Sequence, residues 1–354
     1  MSVQKQFIPK IPIHLASEQE ISALINFDKP FRIAQLQDWI FKKKITDFSE
    51  ITNIPVKHID NLKSAFLFPQ LRIEKITGNL CRDAAKVLFK TKDETCFESA
   101  LIPNTKSQYT ACVSSQVGCP LSCAFCASGM NGFSRNLHAD EIVEQYVFLS
   151  KICGNAVSNI VFMGMGEPMF NYSNIIAAAG VLTSKDKFGL APSRISISTA
   201  GIPQAIEDFA QSGLKYNLLV SLHSARQATR NSIMPGVSQR TLEMLKSSIQ
   251  YYTSETGLPV TVEYIMLKGI NDTEDEELAL RAYLKNMNVK INIIAYNRVN
   301  GLNFDSSEPH KIKRFISSLK KDGHIVVQRF KRGTGFGAGC GQLAWYNKLT
   351  GAGT

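Results

Sequence analysis

Three cysteines, Cys119, Cys123 and Cys126, follow one another with the spacing C-x3-C-x2-C, and Cys112 stands seven residues before the first. Pro120 and the glycines Gly118, Gly129 and Gly132 mark the stretch from Cys112 to Asn136 as rich in loop. Thiolates gathered on a loop are soft ligands suited to a metal centre. Three of them hold a [4Fe–4S] cluster and leave its fourth iron without a protein ligand, open to a reacting small molecule.

Blander readings of the same residues fit less well. A closed zinc site needs four ligands, usually two C-x2-C pairs, and this loop offers one pair plus one cysteine, with no His between Cys112 and Asn136. A redox pair at Cys123 and Cys126 explains neither Cys119 nor the glycines. Three inert buried thiols in eight residues of a Gly/Pro loop are poor core material.

Further polar groups fall at the ends of apolar, β-rich runs. Met163-Gly-Met-Gly-Glu-Pro168 has two glycines that let backbone approach a ligand, and Glu167 suits an ammonium group. Ser198, Ser221 with His223, and Asn297 close later runs. Each alone is a strand-end cap; together beside the cysteine loop they suit a polar small ligand. A lone His at such a position is usually hydrogen-bonded structure. Near the carboxyl end, Lys311 to Arg332 holds eight Lys or Arg and one acid, Asp322. The run Gly333-Thr-Gly-Phe-Gly-Ala-Gly-Cys340-Gly-Gln-Leu343 follows. It is no dinucleotide fingerprint, because no βαβ unit or ribose-binding acid lies downstream. It presents one thiol, Cys340, in a Gly-rich, electropositive context. Arg329, Lys331 and Arg332 would lower the pKa of that thiol by Coulomb attraction, making it a candidate nucleophile.

These residues need a scaffold. The chain has 354 residues, room for one large domain and a small one. It is 44% hydrophobic and 20% charged, ordinary for a soluble globular protein, and no apolar run approaches a membrane span. Eight cysteines without an export signal imply a reducing cytoplasm rather than structural disulfides. A net charge of +10 favours a polyanionic partner. Residues 1–70 read as a small helical module, with Ile33, Leu36 and Ile40 on one helix, closed by Lys42, Lys43 and Lys44, and Ile59, Leu62 and Phe66 on another. Two short helices with a basic turn make either a nucleic-acid-binding hairpin or a packing cap. Residues 71–107 read as a β-hairpin linker across the turn at Lys92 to Glu94; Cys81 and Cys96 there have no partner pattern. From 108 to 340, strands and helices alternate about six times, which predicts a parallel sheet with helices outside and, being fewer than eight units, a partial open barrel. Its catalytic groups should gather at the carboxyl rim of the strands. Residues 341–354 form a tail.

As a set, Cys112-Val-Ser-Ser-Gln-Val-Gly-Cys119, the cysteine triplet, Arg135-Asn136-Leu137, Gly164-Met-Gly-Glu-Pro168, Ser221-Leu-His223 and Cys340-Gly-Gln-Leu343 resemble the RlmN/Cfr family of radical-SAM RNA adenine methyltransferases. The likeness runs over nearly the whole chain. It implies an α/β fold, a partial (β/α)6 radical-SAM barrel with a small N-terminal helical, helix-hairpin-helix-like accessory domain. It implies one [4Fe–4S] cluster on Cys119, Cys123 and Cys126, and two S-adenosylmethionine (SAM) molecules per turnover. Gly166, Glu167, Ser198, Ser221, Leu222, His223 and Asn297 match SAM-contacting positions. Cys340 matches the cysteine that the first SAM methylates. A deoxyadenosyl radical from the second SAM then takes a hydrogen from that methyl group, and the methylene radical adds to an adenine ring carbon. Cys112 matches the thiol that resolves the adduct as a disulfide forms, and Glu98 matches the general base. The implied partners are 23S rRNA, tRNA and an electron donor such as flavodoxin or ferredoxin, with no membrane and a cytoplasmic setting.

Chemistry supports this reading. C2 and C8 of adenine are electrophilic amidine carbons, which a polar transfer from SAM does not readily methylate and a carbon radical does. The expected product is 2-methyladenine; methylation at C8 is the alternative within the family. From a different class, a non-catalytic iron–sulfur RNA-binding module would need neither Cys112 nor Cys340. One departure stands out: where the family usually has acids after Arg-Gly and Ala-Ala before the cysteine, this chain has Thr334 to Gly337 and then Ala338-Gly339.

Overall fold

The structure, a computed structural model, describes residues 10–68, 71–79, 84–105, 108–130, 132–154, 156–329, 339 and 341–344. Cys340, Cys81 and the Gly-rich run before Gly339 lie outside the described residues.

Residues 11–67 fold into a helical module. Strand β1 (Ile11–Pro12) leads to helices α1 (Glu18–Leu24), α2 (Phe31–Gln37) and α3 (Val56–Ala65), and β2 (Phe66–Leu67) returns parallel to β1. The expected helix through Ile33, Leu36 and Ile40 is α2 continued by a π-helical turn over Asp38–Lys42, a widening that buries both Ile40 and Phe41. Helix α1 is too short to show periodicity. Its start is nonetheless written in the sequence as a capping box, in which Ser17 and Glu20 satisfy each other's backbone amides. The module owns a core that includes Ile13, Leu36, Ile40, Phe48 and Leu62. It docks on the loop after α6 (Tyr172–Thr183), where Lys187 Nζ donates to the carbonyls of His14 and Leu15 at 3.0 and 2.9 Å. Phe188 packs edge-on against Phe41 and Tyr146, joining the two cores.

The stretch expected to be a linker is built into the main sheet instead. Strands β3 (Arg72–Gly78), β4 (Ala85–Lys90) and β5 (Cys96–Thr105) form an antiparallel meander, and β5 pairs with β6 (Gln108–Cys112). The expected hairpin is β4–β5; β3, rich in charged residues, was not legible as a strand because it lies at the sheet edge with little burial.

From β6 the sheet turns parallel. Between β6 and the next parallel strand lie a small antiparallel pair, β7 (Gln116–Gly118) and β8 (Phe133–Asn136), with the short α4 (Ala127–Met130) between them, and then α5 (Ala139–Ile152). Strands β9 (Val157–Phe162), β10 (Ile195–Thr199), β11 (Asn217–Ser221), β12 (Val260–Met266), β13 (Val289–Ala295) and β14 (Ile325–Arg329) then add in chain order, each parallel to the last. The intervening helices are α6, α7 (Pro203–Gln211), α8 (Gln227–Ile233), α9 (Leu242–Thr256), α10 (Glu274–Leu284) and α11 (Pro309–Lys321). Sequential addition without reversal is how a partial barrel grows, and it brings all the strand carboxyl ends to one rim.

Local chemistry sets the helix limits. Thr241 caps α9 by accepting from Met244 N, and Gly257 ends it at a φ of +68°. Thr273 caps α10, whose first turn carries four acids that suit the positive end of its dipole. Pro309 opens α11, and Lys320 and Lys321 sit in its last turn. The inner faces of these helices meet the apolar strands in one core.

Candidate active site

The cysteine loop is held from three sides. From below, β7 and β8 clasp its ends, and Cys119 N donates to Gly132 O at 2.9 Å. Only glycine fits at position 118: φ is +79°, and an added Cβ would lie 2.0 Å from Gly132 O. From the side, Ala124 N donates to Ile233 O, and Gly236 N to Leu121 O, tying the loop to α8 and the turn after it. From above, the segment beyond Cys340 lies along the start of α4. Ala127 N donates to Gly341 O at 2.8 Å, and Ser128 Oγ to Leu343 O at 2.6 Å.

The Gly164-Met-Gly-Glu-Pro168 turn is zipped to the start of this loop. Ser114 Oγ accepts from Met165 N, Gln116 Oε1 accepts from Glu167 N, and Ser115 N donates to Met165 O. Both glycines are required by this closeness. A Cβ on Gly164 would meet Ser114 Oγ at 2.5 Å, and one on Gly166, at φ +100°, would meet Gln116 Cβ at 2.6 Å. Gln145, projecting from α5, completes the brace with bonds to Ser114 N and O and to Ser99 Oγ. Ser114 and Gln116 belong to the Cys112–Cys119 motif, but their bracing role, like that of Ser99 and Gln145, has no spacing signal in the sequence.

Between the loop and the rim lies a cavity of about 160 Å³. Cys119, Cys123 and Cys126 line one end of it. Gly166, Glu167, Ser198, Ser221 and His223, all expected from sequence, line it too. Two larger hollows, of about 500 and 530 Å³, are lined mainly by charged and polar side chains and hold no cysteine. Leu222 does not line the cavity; its carbonyl accepts from Arg230 Nε at 3.3 Å and its amide donates to Glu263 O at 3.1 Å. Asn297 also lies off this cavity, with its amide nitrogen against Gly339.

The expected groups are firmly bonded into the rim. Glu167 is buried, and its two carboxylate oxygens accept from Met169 N at 3.0 Å and Ala200 N at 2.7 Å. Ser198 Oγ donates to Phe162 O at 2.7 Å. His223 stands at φ +58°, its Nδ1 accepts from Ile265 N at 3.1 Å, and its ring meets Phe125 edge-on. Burial and the nearby Arg230 guanidinium hold His223 neutral, with its pKa down to about 3, so it walls the pocket and is no proton carrier near neutrality. Arg230, fully buried, donates to the carbonyls of both Leu222 and Ala200, and so fixes the ends of β10 and β11 relative to one another.

The three thiols suit an iron–sulfur cluster. Burial pushes Cys119 up to about 12 and Cys123 well above the ordinary thiol range, and the neighbouring Cys126 and Glu167 push the same way. A cationic centre reverses that preference, because a metal-bound thiol is deprotonated. Among the described residues no three His, Cys, Asp or Glu side chains are placed to hold a single metal ion. All three thiols of the triplet line the same cavity, and a [4Fe–4S] cluster takes one thiolate on each of three irons.

A second cavity, of about 70 Å³, adjoins the first and shares Cys126, Met163, Gly164 and Gly341 with it. Cys112 lines it together with Gly339 and Gly341, the residues on either side of Cys340. Glu98 lies nearby: Ser114 Oγ donates to its backbone carbonyl, and its Oε2 accepts from Ala344 N at 2.8 Å while Oε1 pairs with Lys86 Nζ at 2.9 Å. Among the described residues no two cysteines are joined in a disulfide.

Comparison with known proteins agrees with this geometry. The radical SAM superfamily model matches residues 113–282. A protein of Chlorobium phaeobacteroides named "Probable dual-specificity RNA methyltransferase RlmN" is 40% identical over 342 residues, 94% of this chain and 94% of its own. A protein of the same name from Christiangramia forsetii is 40% identical over 90% of this chain and 91% of its own. The crystal structure of a radical SAM methyltransferase from Sphaerobacter thermophilus superposes with a TM-score of 0.88 at 30% identity, covering 94% of this chain and 99% of that one. The chain is thus a SAM-dependent radical SAM enzyme, and it belongs to the RlmN family of RNA methyltransferases.

Proposed function

We propose that this enzyme methylates C2 of an adenine in 23S rRNA, and also in tRNA, through a methyl-cysteine carrier and two SAM molecules per turnover. The observation that carries the reading is the second cavity. It gathers Cys112 and the two neighbours of Cys340 against the back of the cluster ligand Cys126. A site that only bound RNA, or only cleaved SAM, has no use for the further thiol of Cys112 there.

In this reading Cys119, Cys123 and Cys126 hold one [4Fe–4S] cluster, which with bound SAM would supply a 5′-deoxyadenosyl radical. Gly166, Glu167, Ser198, Ser221 and His223 shape the SAM pocket, while Leu222 and Asn297 act from behind its wall. Cys340 carries the methyl group and, once its methylene carbon is bonded to the base, Glu98 takes the proton from C2 while one electron leaves the adduct, which the oxidised cluster would accept. Cys112 then attacks the Cys340 sulfur: the S–S bond forms as the C–S bond breaks, the released methylene carbon takes up a proton to become the methyl group, and cellular thiols would reduce the disulfide before the next turnover. The dual specificity in the relatives' name supports more than one RNA substrate, and the net charge of +10 suits a polyanion. A small acidic redox protein such as flavodoxin or ferredoxin would donate electrons, and a reducing cytoplasm would keep the thiols unbridged. Among the described residues no helix is long and apolar enough to cross a membrane.

Mass spectrometry of nucleosides from rRNA and tRNA treated with the reconstituted enzyme tests the proposal. 2-Methyladenosine in both RNAs is expected. 8-Methyladenosine in its place would move the enzyme to the other branch of the family chemistry, and no methyladenosine at all would remove the reading.

A further inference from the structure

The SAM pocket contains an acid that neither the sequence motifs nor the family match assigns. Glu263 lies in the middle of β12, buried, and lines the cavity that the three cysteines also line. Its Oε1 accepts from Asn292 Nδ2 at 2.8 Å and lies 3.6 Å from Arg329 Nη1. Its Oε2 is buried and has no hydrogen-bond partner among the described residues. A buried carboxylate oxygen without a donor costs stability, so a fold that retains one in a pocket points to a ligand that supplies the donor.

The position says which part of an S-adenosyl ligand that is. Glu263 is level with Ser221 on β11 and with Asn292 on β13 in the sheet register. Together with Arg329 these residues make a polar layer across the barrel interior. The cysteine loop follows β6, and β12 is four strands further along the sheet. The methionine end of the ligand belongs at the cysteines, where Glu167 already stands. Glu263 therefore faces the nucleoside end. An ionised carboxylate only accepts hydrogen bonds, and the ribose offers two adjacent hydroxyl donors. Ile265, one inward position nearer the rim on the same strand, and Ile294 offer the apolar wall that a base needs.

We propose that Glu263 reads the ribose hydroxyls of the S-adenosyl ligand through its free Oε2, held in place by Asn292 and Arg329. This rests on the S-adenosyl reading of the cavity. Arg329 has a second consequence: it stands at the end of β14, so the pair also joins the ribose position to the strand that leads toward Cys340.

Anaerobic equilibrium dialysis of the cluster-reconstituted full chain tests the proposal, with S-adenosylhomocysteine and its 2′-deoxy and 3′-deoxy forms as probes. The wild type should bind the parent about 10- to 100-fold more tightly than at least one deoxy form. Glu263→Ala should lose that preference, and Glu263→Gln should narrow it. Equal binding of all three probes by the wild type overturns the proposal. So does a preference that persists at full size in Glu263→Ala or, should that variant fail to fold by circular dichroism, in Glu263→Gln. Failure of the wild type to bind any of the three removes the S-adenosyl reading itself, a distinct result.

Discussion

Glu98 accepts a hydrogen bond from the backbone amide of Ala344 at 2.8 Å, linking β5 to the chain four residues past Cys340. The same carboxylate pairs with Lys86 at 2.9 Å. The expected base is therefore bonded to the segment that follows the proposed methyl carrier, and a cation on β4 favours its ionised form.

That arrangement has a pH signature. Burial raises the Glu98 carboxyl above its ordinary value, and the bonds from Ala344 and Lys86 pull it back. Lys86→Met removes one of the opposing effects, so the pKa should rise further and more of the base should be protonated at a given pH. The acidic limb of the kcat/KM profile should move to higher pH, while activity well above the limb changes less. Lys86→Arg, which keeps the charge, should restore most of the profile. Identical limbs in wild type and Lys86→Met would leave Lys86 a structural partner only. The same shift bears on stability: a carboxyl with a raised folded pKa contributes most when protonated, and that contribution is lost as pH rises through it.

The proposed carrier, Cys340, and the proposed resolving thiol, Cys112, separate by different failures. Cys340→Ala should abolish methylation while leaving cluster absorbance at the wild-type level, because the proposed cluster ligands are three other residues. Cys112→Ala should allow the base to be captured but not released, giving a covalent RNA–protein adduct visible on denaturing gels. Free RNA alone from Cys112→Ala would count against its resolving role, and residual turnover by Cys340→Ala against the carrier.

Gly118→Ala probes how tightly the loop is set. The new Cβ would fall 2.0 Å from Gly132 O at a backbone angle that L residues rarely adopt. A loss of roughly 2–4 kcal/mol is expected, with less iron per chain after reconstitution. Gly154 is the control, with a φ of +63° and no atom within 4 Å of an added Cβ. Gly154→Ala should cost only about 1 kcal/mol and leave iron content unchanged. Equal losses in denaturant melts would mean that backbone angle alone, and not the contact with Gly132, constrains position 118.

Much of the site is legible in the sequence because its chemistry demands particular residue types at short range. The triplet and the Gly-Met-Gly-Glu-Pro turn are of this kind, and so are the barrel strands, whose apolar runs are bounded by turns. What stays hidden depends on tertiary neighbours. Glu263 is a single acid within Val-Thr-Val-Glu-Tyr, and only the register with Ser221 and Asn292 shows that it points into the pocket. Arg230 and Gln145 read as ordinary helix residues until their buried backbone partners are seen. Conversely, Leu222 belongs to a recognisable motif yet does not line the cavity: it lies just past the end of β11, with its backbone bonded to Arg230 and Glu263, while Ser221 and His223 line the cavity on either side of it.

The N-terminal module poses the last question, whether it grips RNA or only caps the barrel. Its lysine triplet divides. Lys44 is buried, with its ammonium 5.8 Å from the Tyr146 ring of the core domain, a docking contact. Lys42 is 80% exposed, and Lys43 is half exposed and stacks over Trp39. Both pair loosely with Asp38, at 3.3 and 3.8 Å, and exposed pairs of this kind contribute little to folding. If the module contacts phosphates, Lys42→Ala and Lys43→Ala should each weaken RNA binding at low salt and reduce the slope of log K against log salt by about 1, with no change in melting temperature. Lys44→Ala should do the reverse, lowering stability with little change in slope. A slope untouched by Lys42→Ala and Lys43→Ala together would assign the module to packing alone, since a cap needs Lys44 and the Lys187 bonds but no outward charge.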